Sequence, residues 1–563
     1  ADPGHAAARV AARRRLDARG AKLAAITARG ARLDGALLEG ADLGGARLTQ
    51  ASLVDARASG STWASASLAQ SSLLRADLSQ LAAPRVDLRG ASLEEAKLAG
   101  ADLSGADLRG ASLKGTDLRR ARMDGADLRG LDLTAVARPP ARLKGARLGG
   151  AKLANIDLSR ASLDEADLTG ADLTSAILER LDLHGVRAIG ARFAGANLRG
   201  ATLARAELGG ADLREADLRD ALLFGADLRE ARLIGAKLTG ARLAGAALTC
   251  LDLSGADLSG APLAKLVLAG CRLAKSKLRG ADLRGADLTA ADLRSADLAE
   301  AKLDGASLER ANLEGASLVR ASARDAQLED ADLRTADLGH ADLTGASLRR
   351  AKLERADLSH ATLAFAHLDE TRLVDAKLAG TSLDHAALIG ADATAVRFVE
   401  AIVADADFAG AKLERAVFAK LGARKTCFVR AKLRDAVFVG SDLRNAVFTD
   451  CDLRGADFAG ADLRGAQLVR AKAAGARFLK ARLEKALMRE ADLRTASFDH
   501  AVMPGANLEH AQLQGADFSG ADLTNSRFHG ALVEGARFRD ANATNLHRTD
   551  PARAKAEAFA PGK

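Results

Sequence analysis

Ala101-Asp102-Leu103-Ser104-Gly105 is followed at once by Ala106-Asp107-Leu108-Arg109-Gly110. Each block reads Ala, a polar residue, Leu, then two freer positions. The block recurs from residue 21 to residue 545 as 105 consecutive pentads, and the count reads as none longer or shorter than five. The third position is Leu, Phe, Val, Met or Trp in 95 of them. A repeat this strict decides the fold before any single residue is considered. Positions one and three are apolar with a polar residue between them, a minimal strand of period two. The last two positions favour Gly, Arg, Ser, Thr, Asp or Glu, and Gly is most frequent at the fifth, where a tight corner calls for positive φ. A short inward-facing strand and a corner, repeated, make a polygonal coil with Ala where backbones crowd and Leu filling the axis.

The pattern A-(D/N)-L-x-x resembles the pentapeptide repeat family, over about 93% of the chain. The resemblance implies an all-β solenoid: a right-handed quadrilateral β-helix with four pentads per coil. On that basis 105 pentads give about 26 coils, and at the ~4.8 Å inter-strand spacing a rod about 125 Å long. Each coil then hydrogen-bonds the next, leaving unpaired edges only at the ends. Three segments follow: residues 1–20, Ala/Arg-rich and expected as a short capping helix; residues 21–545, the β-helix; and residues 546–563, a polar cap or tail. The unbroken phase outweighs the three or four domains that 563 residues would otherwise suggest.

A coil of four pentads turns columns of sequence into columns in space. Phe398, Phe418, Phe438, Phe458, Phe478, Phe498, Phe518 and Phe538 form one inward ladder, with Phe408, Phe428 and Phe448 opposite. Stacked at this spacing they are expected to stiffen the C-terminal third. Outside, Asp87, Asp107 and Asp127 stack in one column with Arg89, Arg109 and Arg129 two residues along. Pro84, Pro139, Pro140, Pro262 and Pro504 all avoid the central position. The pentad Leu421–Lys425, with Ala423 at its centre, is the expected point of distortion.

The net charge of +8 lies mostly at the ends: +3 in residues 1–20, +3 in 21–545 and +2 in 546–563. A near-neutral body without Tyr argues against nucleic acid as the ligand. Neither a phosphate-cradling Gly loop nor a CxxC or HExxH motif is present, and a filled coil offers no concave pocket, so no enzyme, cofactor or metal is expected. His340 and His360 fall one coil apart at the same corner and read as solvated side chains. Four scattered cysteines make no disulfide framework. No apolar run approaches the length of a membrane-spanning helix, about 20 residues, and there is no secretory leader pattern. The chain is therefore read as cytoplasmic in a bacterium, or as exported without a classical signal peptide.

Function is expected at departures from the pentad. Val399, Val417, Val437 and Val439 point outward in successive coils of one face, with Ile402, Val429 and Val447 on other faces, and such apolar residues mark partner surfaces. The first functional reading is thus a non-enzymatic scaffold for a protein partner, as a monomer or as an end-to-end or face dimer. Its Ala/Leu/Arg-rich array is similar to the C-terminal arrays of large bacterial proteins, some associated with type VI secretion loci, and the missing initiator Met fits an excised piece. The second reading, also implied by the resemblance, is a DNA mimic that binds DNA gyrase and protects it from quinolones or toxins. That role needs negative charge on the order of one per ~1.7 Å of duplex, and this body is close to +3.

Overall fold

The computed structural model describes residues 15–248 and 251–548. The chain forms two compact units, Ala1–Lys277 and Leu278–Lys563, each built from the same coil.

The backbone bonds of one pentad explain the repeat. The Ala101 N–H donates to the Leu98 carbonyl at 3.0 Å and closes the preceding corner. The Asp102 N–H reaches back one coil to the Leu81 carbonyl at 2.7 Å. Leu103 and Gly105 donate forward one coil, to the carbonyls of Arg122 at 2.7 Å and Asp124 at 2.9 Å. The Ser104 N–H, which has no backbone acceptor, donates to Asp102 Oδ1 at 3.1 Å. All five donors are satisfied, and the preference for Asp at position two has a cause: it caps the fourth N–H as an Asx turn. Where position two is basic, an Asp from the neighbouring coil does the same, as Asp124 does for the Lys144 N–H at 3.2 Å.

Pairing between coils is parallel and runs through single residues at position two, each to the equivalent residue four pentads later: Asp87 to Asp107 to Asp127, and Lys412 to Lys432 to Asp452. One turn of the coil is therefore four pentads. At the C-terminal end the pairing widens to two-residue strands, β1 (Arg527–Phe528) and β2 (His547–Arg548), in parallel register. First and third positions are almost all buried, second positions are half-buried or exposed, and corners face solvent. Where a hydroxyl takes the Ala slot it bonds back to a carbonyl, as Thr116 Oγ1 does to Leu93 at 2.8 Å.

Corners use the left-handed region whatever the residue. Among the described residues every fifth position except Ala135, Pro140 and Arg160 has φ between +53° and +75°. Positive φ at the second central residue of a corner closed from position one to position three is the type II arrangement.

Three expectations change. The coil begins one pentad before residue 21, because Asp17 already pairs with Leu37, and residues 16–20 are therefore wall and not helix. The rest of the proposed N-terminal helix, residues 1–14, lies outside the described residues. Past residue 545, His547 and Arg548 still pair with the preceding coil. The remainder of the proposed tail, from residue 549, also lies outside the described residues.

The third change concerns distortion. Leu421–Lys425 is regular: Gly422 pairs with Ile402 and Asp442, and the Ala423 N–H reaches the Asp442 carbonyl at 2.9 Å. An Ala in the axial slot removes volume but no hydrogen-bonding group. The phase slips instead at Val136–Pro140, where Asp117 pairs with Arg138 and not with Ala137, the residue four pentads on. Gly115 and Leu118 donate to the carbonyls of Ala135 and Arg138, each one residue later than the repeat dictates. By Arg122 and Arg142 the four-pentad register is restored. One residue is thus gained before Arg138 and given back before Arg142, as in a β-bulge. Two causes coincide. Arg138 stands at a third position, where burying an unpaired guanidinium is prohibitive, and Pro140 has no N–H for the bond a fifth position makes to the next coil. Pro at position four costs nothing, and Pro84 and Pro504 sit there in regular coils.

Candidate interaction surface

The outer wall is set by positions two and four, and most of it is charge paired with itself. Arg109 grips Asp107 of its own pentad, with Nε to Oδ1 at 2.9 Å and Nη2 to Oδ2 at 2.6 Å, and lies 3.6 Å from Asp127 one coil on. The same fork joins Arg89 to Asp87, Arg214 to Asp212 and Arg494 to Asp492. The Arg109 guanidinium holds the Asp107 carboxyl below the usual carboxylate range, and Arg89 does the same to Asp87. These pairs are largely solvated, so each contributes little to stability. Their effect is to neutralise the charge along these columns.

The axis beneath the proposed surface is filled. Ring centroids along the first Phe ladder are 4.5 Å apart at Phe398–Phe418 and 4.8 Å at Phe438–Phe458, with nearly parallel planes. The second ladder meets the first edge-on across the axis: Phe428–Phe438 is 5.8 Å at 81° and Phe438–Phe448 is 5.6 Å at 84°. Stacking along the axis and edge-to-face contact across it are the two favoured aromatic geometries.

Over this core, Val417 pairs directly with Val437, and Val437 with Asp457. Val399 and Val439 flank them at fourth positions of the same face. All four are half-buried, as are Val429 and Val447, because side chains of adjacent coils cover one another's flanks. Only Ile402 is freely exposed, at 52%. Val429 and Val447 lie with Cys427 on the opposite face, so the seven residues form a strip, a single Ile and a smaller second strip, not one patch. Other outward apolar residues fall outside this valine pattern, among them Ile177, Ile189, Phe224 and Phe365, each at least 38% exposed. The signal that finds them is simple: a large apolar residue at position two, four or five. Phe365 stacks on His385 at 4.9 Å, one coil on.

Chemistry is sparse. His340 and His360 stack face to face at 5.0 Å, and among the described residues no group of three His, Cys, Asp or Glu could hold a metal. Cys451 occupies a first position and donates to the Phe428 carbonyl; burial pushes its thiol up to about 12. Among the described residues no helix is long and apolar enough to cross a membrane. A surface concavity of about 920 Å³ lies at the phase slip of Val136–Pro140.

The family model "Pentapeptide repeats (8 copies)" matches residues 19–55, 71–110, 101–136, 141–180, 182–220, 226–263, 267–305, 291–334, 326–363, 336–373, 356–392, 426–465, 466–503 and 503–540. The matches stop at 136 and resume at 141, on either side of the slip, and they pass over 393–425, where Phe enters the axis. Among solved structures, the chain is similar to HetL of the cyanobacterium Nostoc sp. strain PCC 7120, a pentapeptide repeat protein involved in heterocyst differentiation regulation. Identity is 32% over 44% of this chain and 94% of that one, with a TM-score of 0.24. It is also similar to QnrB1, a plasmid-mediated fluoroquinolone resistance protein, at 16% identity over 39% of this chain and 97% of that one, with a TM-score of 0.20. A thylakoid-lumen protein of Arabidopsis thaliana matches at 28% identity over 19% of this chain and 66% of that one, with a TM-score of 0.13. No curated protein sequence matches significantly. With the family model matched over most of its length and four pentads to each coil, the chain belongs to the pentapeptide repeat family, whose fold is a right-handed β-helix.

Proposed function

We propose that the chain is a non-enzymatic scaffold that binds a protein partner through the Val417–Val437 strip. The observation that supports this most directly is the strip itself. On a wall where many Asp/Arg pairs compensate one another, two adjacent coils present Val to Val, flanked by Val399 and Val439, above an axis packed with Phe. A flat, firm apolar strip suits another protein's side chains better than a small molecule, which needs a cavity. Charge weighs against the DNA-mimic reading, since the whole chain carries +8 where a duplex mimic needs a dense negative surface. We assign the scaffold to a larger bacterial assembly, with association to a type VI secretion locus as the narrower form of the proposal.

The test is a pull-down from host lysate with the wild type and with Val417→Asp/Val437→Asp. Both positions are outward, so the variant keeps the fold, which far-UV circular dichroism verifies. The expected result is loss of a wild-type partner by the variant. An identical set of captured proteins would remove the strip from consideration.

A further inference from the structure

We propose that the notch at the Pro139–Pro140 slip binds a compact polyanion of the di- or triphosphate class. The notch follows from the repeat and its failure. Residues 100, 120, 140 and 160 share one corner of four successive coils, and in the third of these Pro140 is drawn inward and buried. The corner residue is missing from the surface there, and the gap is the 920 Å³ concavity. Arg120 and Arg160 stand at its two rims. They are separated by two inter-strand steps, about 10 Å between backbones. Arg138, expelled from the axis by the bulge, lines its side. The backbone is altered at the same place: Ala135, Pro140 and Arg160 are the only described fifth positions without positive φ.

Arginines without an ion pair recur along the described wall, Arg85 and Arg205 among them, but in the notch three of them line a single concavity. Arg119, also in the lining, is held by Asp117 at 2.6 Å. Arg120, Arg138 and Arg160 make no ion pair among the described residues, and Asp157 is the one acidic residue in the lining. Asp157 is itself engaged: its Oδ1 accepts the Ser159 N–H at 3.0 Å. The N–H groups of Arg120 and Ala141, which the regular repeat would give to carbonyls of residues 139 and 138, make no backbone hydrogen bond among the described residues. Planar guanidinium forks from two rims and a side, with spare backbone donors, match an anion bearing several oxyanion groups. The lining has no aromatic side chain, so nothing stacks a nucleobase. What is recognised is the phosphate chain.

Isothermal titration of the full chain with inorganic tripolyphosphate tests this, in parallel with Arg120→Gln/Arg160→Gln, with Arg138→Gln, and with Arg205→Gln as a corner-arginine control. All four arginines are exposed, so the fold is retained. Expected are saturable 1:1 binding, at least a tenfold loss in the double variant and in Arg138→Gln, and no change in the control. A competition arm separates sources. Displacement by ATP at equal concentration identifies nucleotide phosphates as an alternative supply, and failure of ATP to compete points to free polyphosphate. The proposal is overturned by absence of saturable binding, by equal binding in the double variant, or by tighter binding of a hexa-aspartate peptide, which would make the notch a carboxylate-reading protein contact. None of these results bears on the valine strip, which lies in the other unit.

Discussion

The fifth residue of each pentad shows how strongly the coil overrides local preference. Glycine takes positive φ without penalty, but Thr335 holds φ +57° at the same position, a conformation that a β-branched residue adopts only under constraint. The hydrogen bonds on either side impose it: the Thr335 N–H donates to the Glu354 carbonyl at 3.0 Å and the Ala336 N–H to the Leu333 carbonyl at 3.1 Å. Relief of the steric cost, about 1–2 kcal/mol, is partly offset by the extra chain entropy of Gly. Thr335→Gly is therefore expected to stabilise this corner by about 0.5–1 kcal/mol, read as slower hydrogen exchange of the Ala336 amide; faster exchange there would show that Thr335 is unstrained. Arg138 teaches the opposite lesson. Its place at a third position was legible in the sequence as a charged residue in an apolar column. Its consequence, a slip of one residue, was not, because a pentad count registers length and not pairing.

At the scale of the element, the Phe ladders tie successive coils together through stacked and edge-on ring contacts. Phe438 stacks on Phe418 at 4.9 Å and on Phe458 at 4.8 Å and meets Phe428 and Phe448 edge-on. Phe438→Ala removes all four contacts and leaves a cavity on the axis, at about 3–5 kcal/mol. In a repeat fold the damage stays with nearest neighbours. Hydrogen exchange is expected to accelerate in the coils between Phe418 and Phe458 and to remain slow around Phe498 and Phe518. Phe438→Leu, which restores the residue typical of earlier coils, is expected to recover part of the loss. A uniform acceleration along the unit would contradict local coupling. The ladders themselves were readable from the sequence once four pentads per coil was adopted. The edge-on contact between them was not, since it depends on the width of the axis.

For the molecule as a whole, stability is tied to many partly exposed carboxylates. The carboxyls of Asp87, Asp107, Asp127, Asp212 and Asp492 are held below their ordinary range, first by hydrogen bonds from Arg89, Arg109, Arg129, Arg214 and Arg494. A folded-state value below the unfolded value, about 3.9, contributes stability that is fully present above that pH and is lost as pH falls through the folded values. Thermal melts are expected to weaken steadily below about pH 4, and less steeply in high salt, which screens the pairs. Melting temperatures that rose as the pH was lowered through this range would have the wrong sign. What the sequence determined by itself was the period of five, the inward and outward alternation, the aromatic and charged columns, and the near-neutral wall, because each is a local pattern repeated. What tertiary structure decided was pairing between residues four pentads apart: where the register slips, which guanidiniums are left without carboxylates, and how far neighbouring coils shield the outward valines. Those depend on hydrogen bonds and packing between residues distant in the chain, and the pentad period carries no information about them.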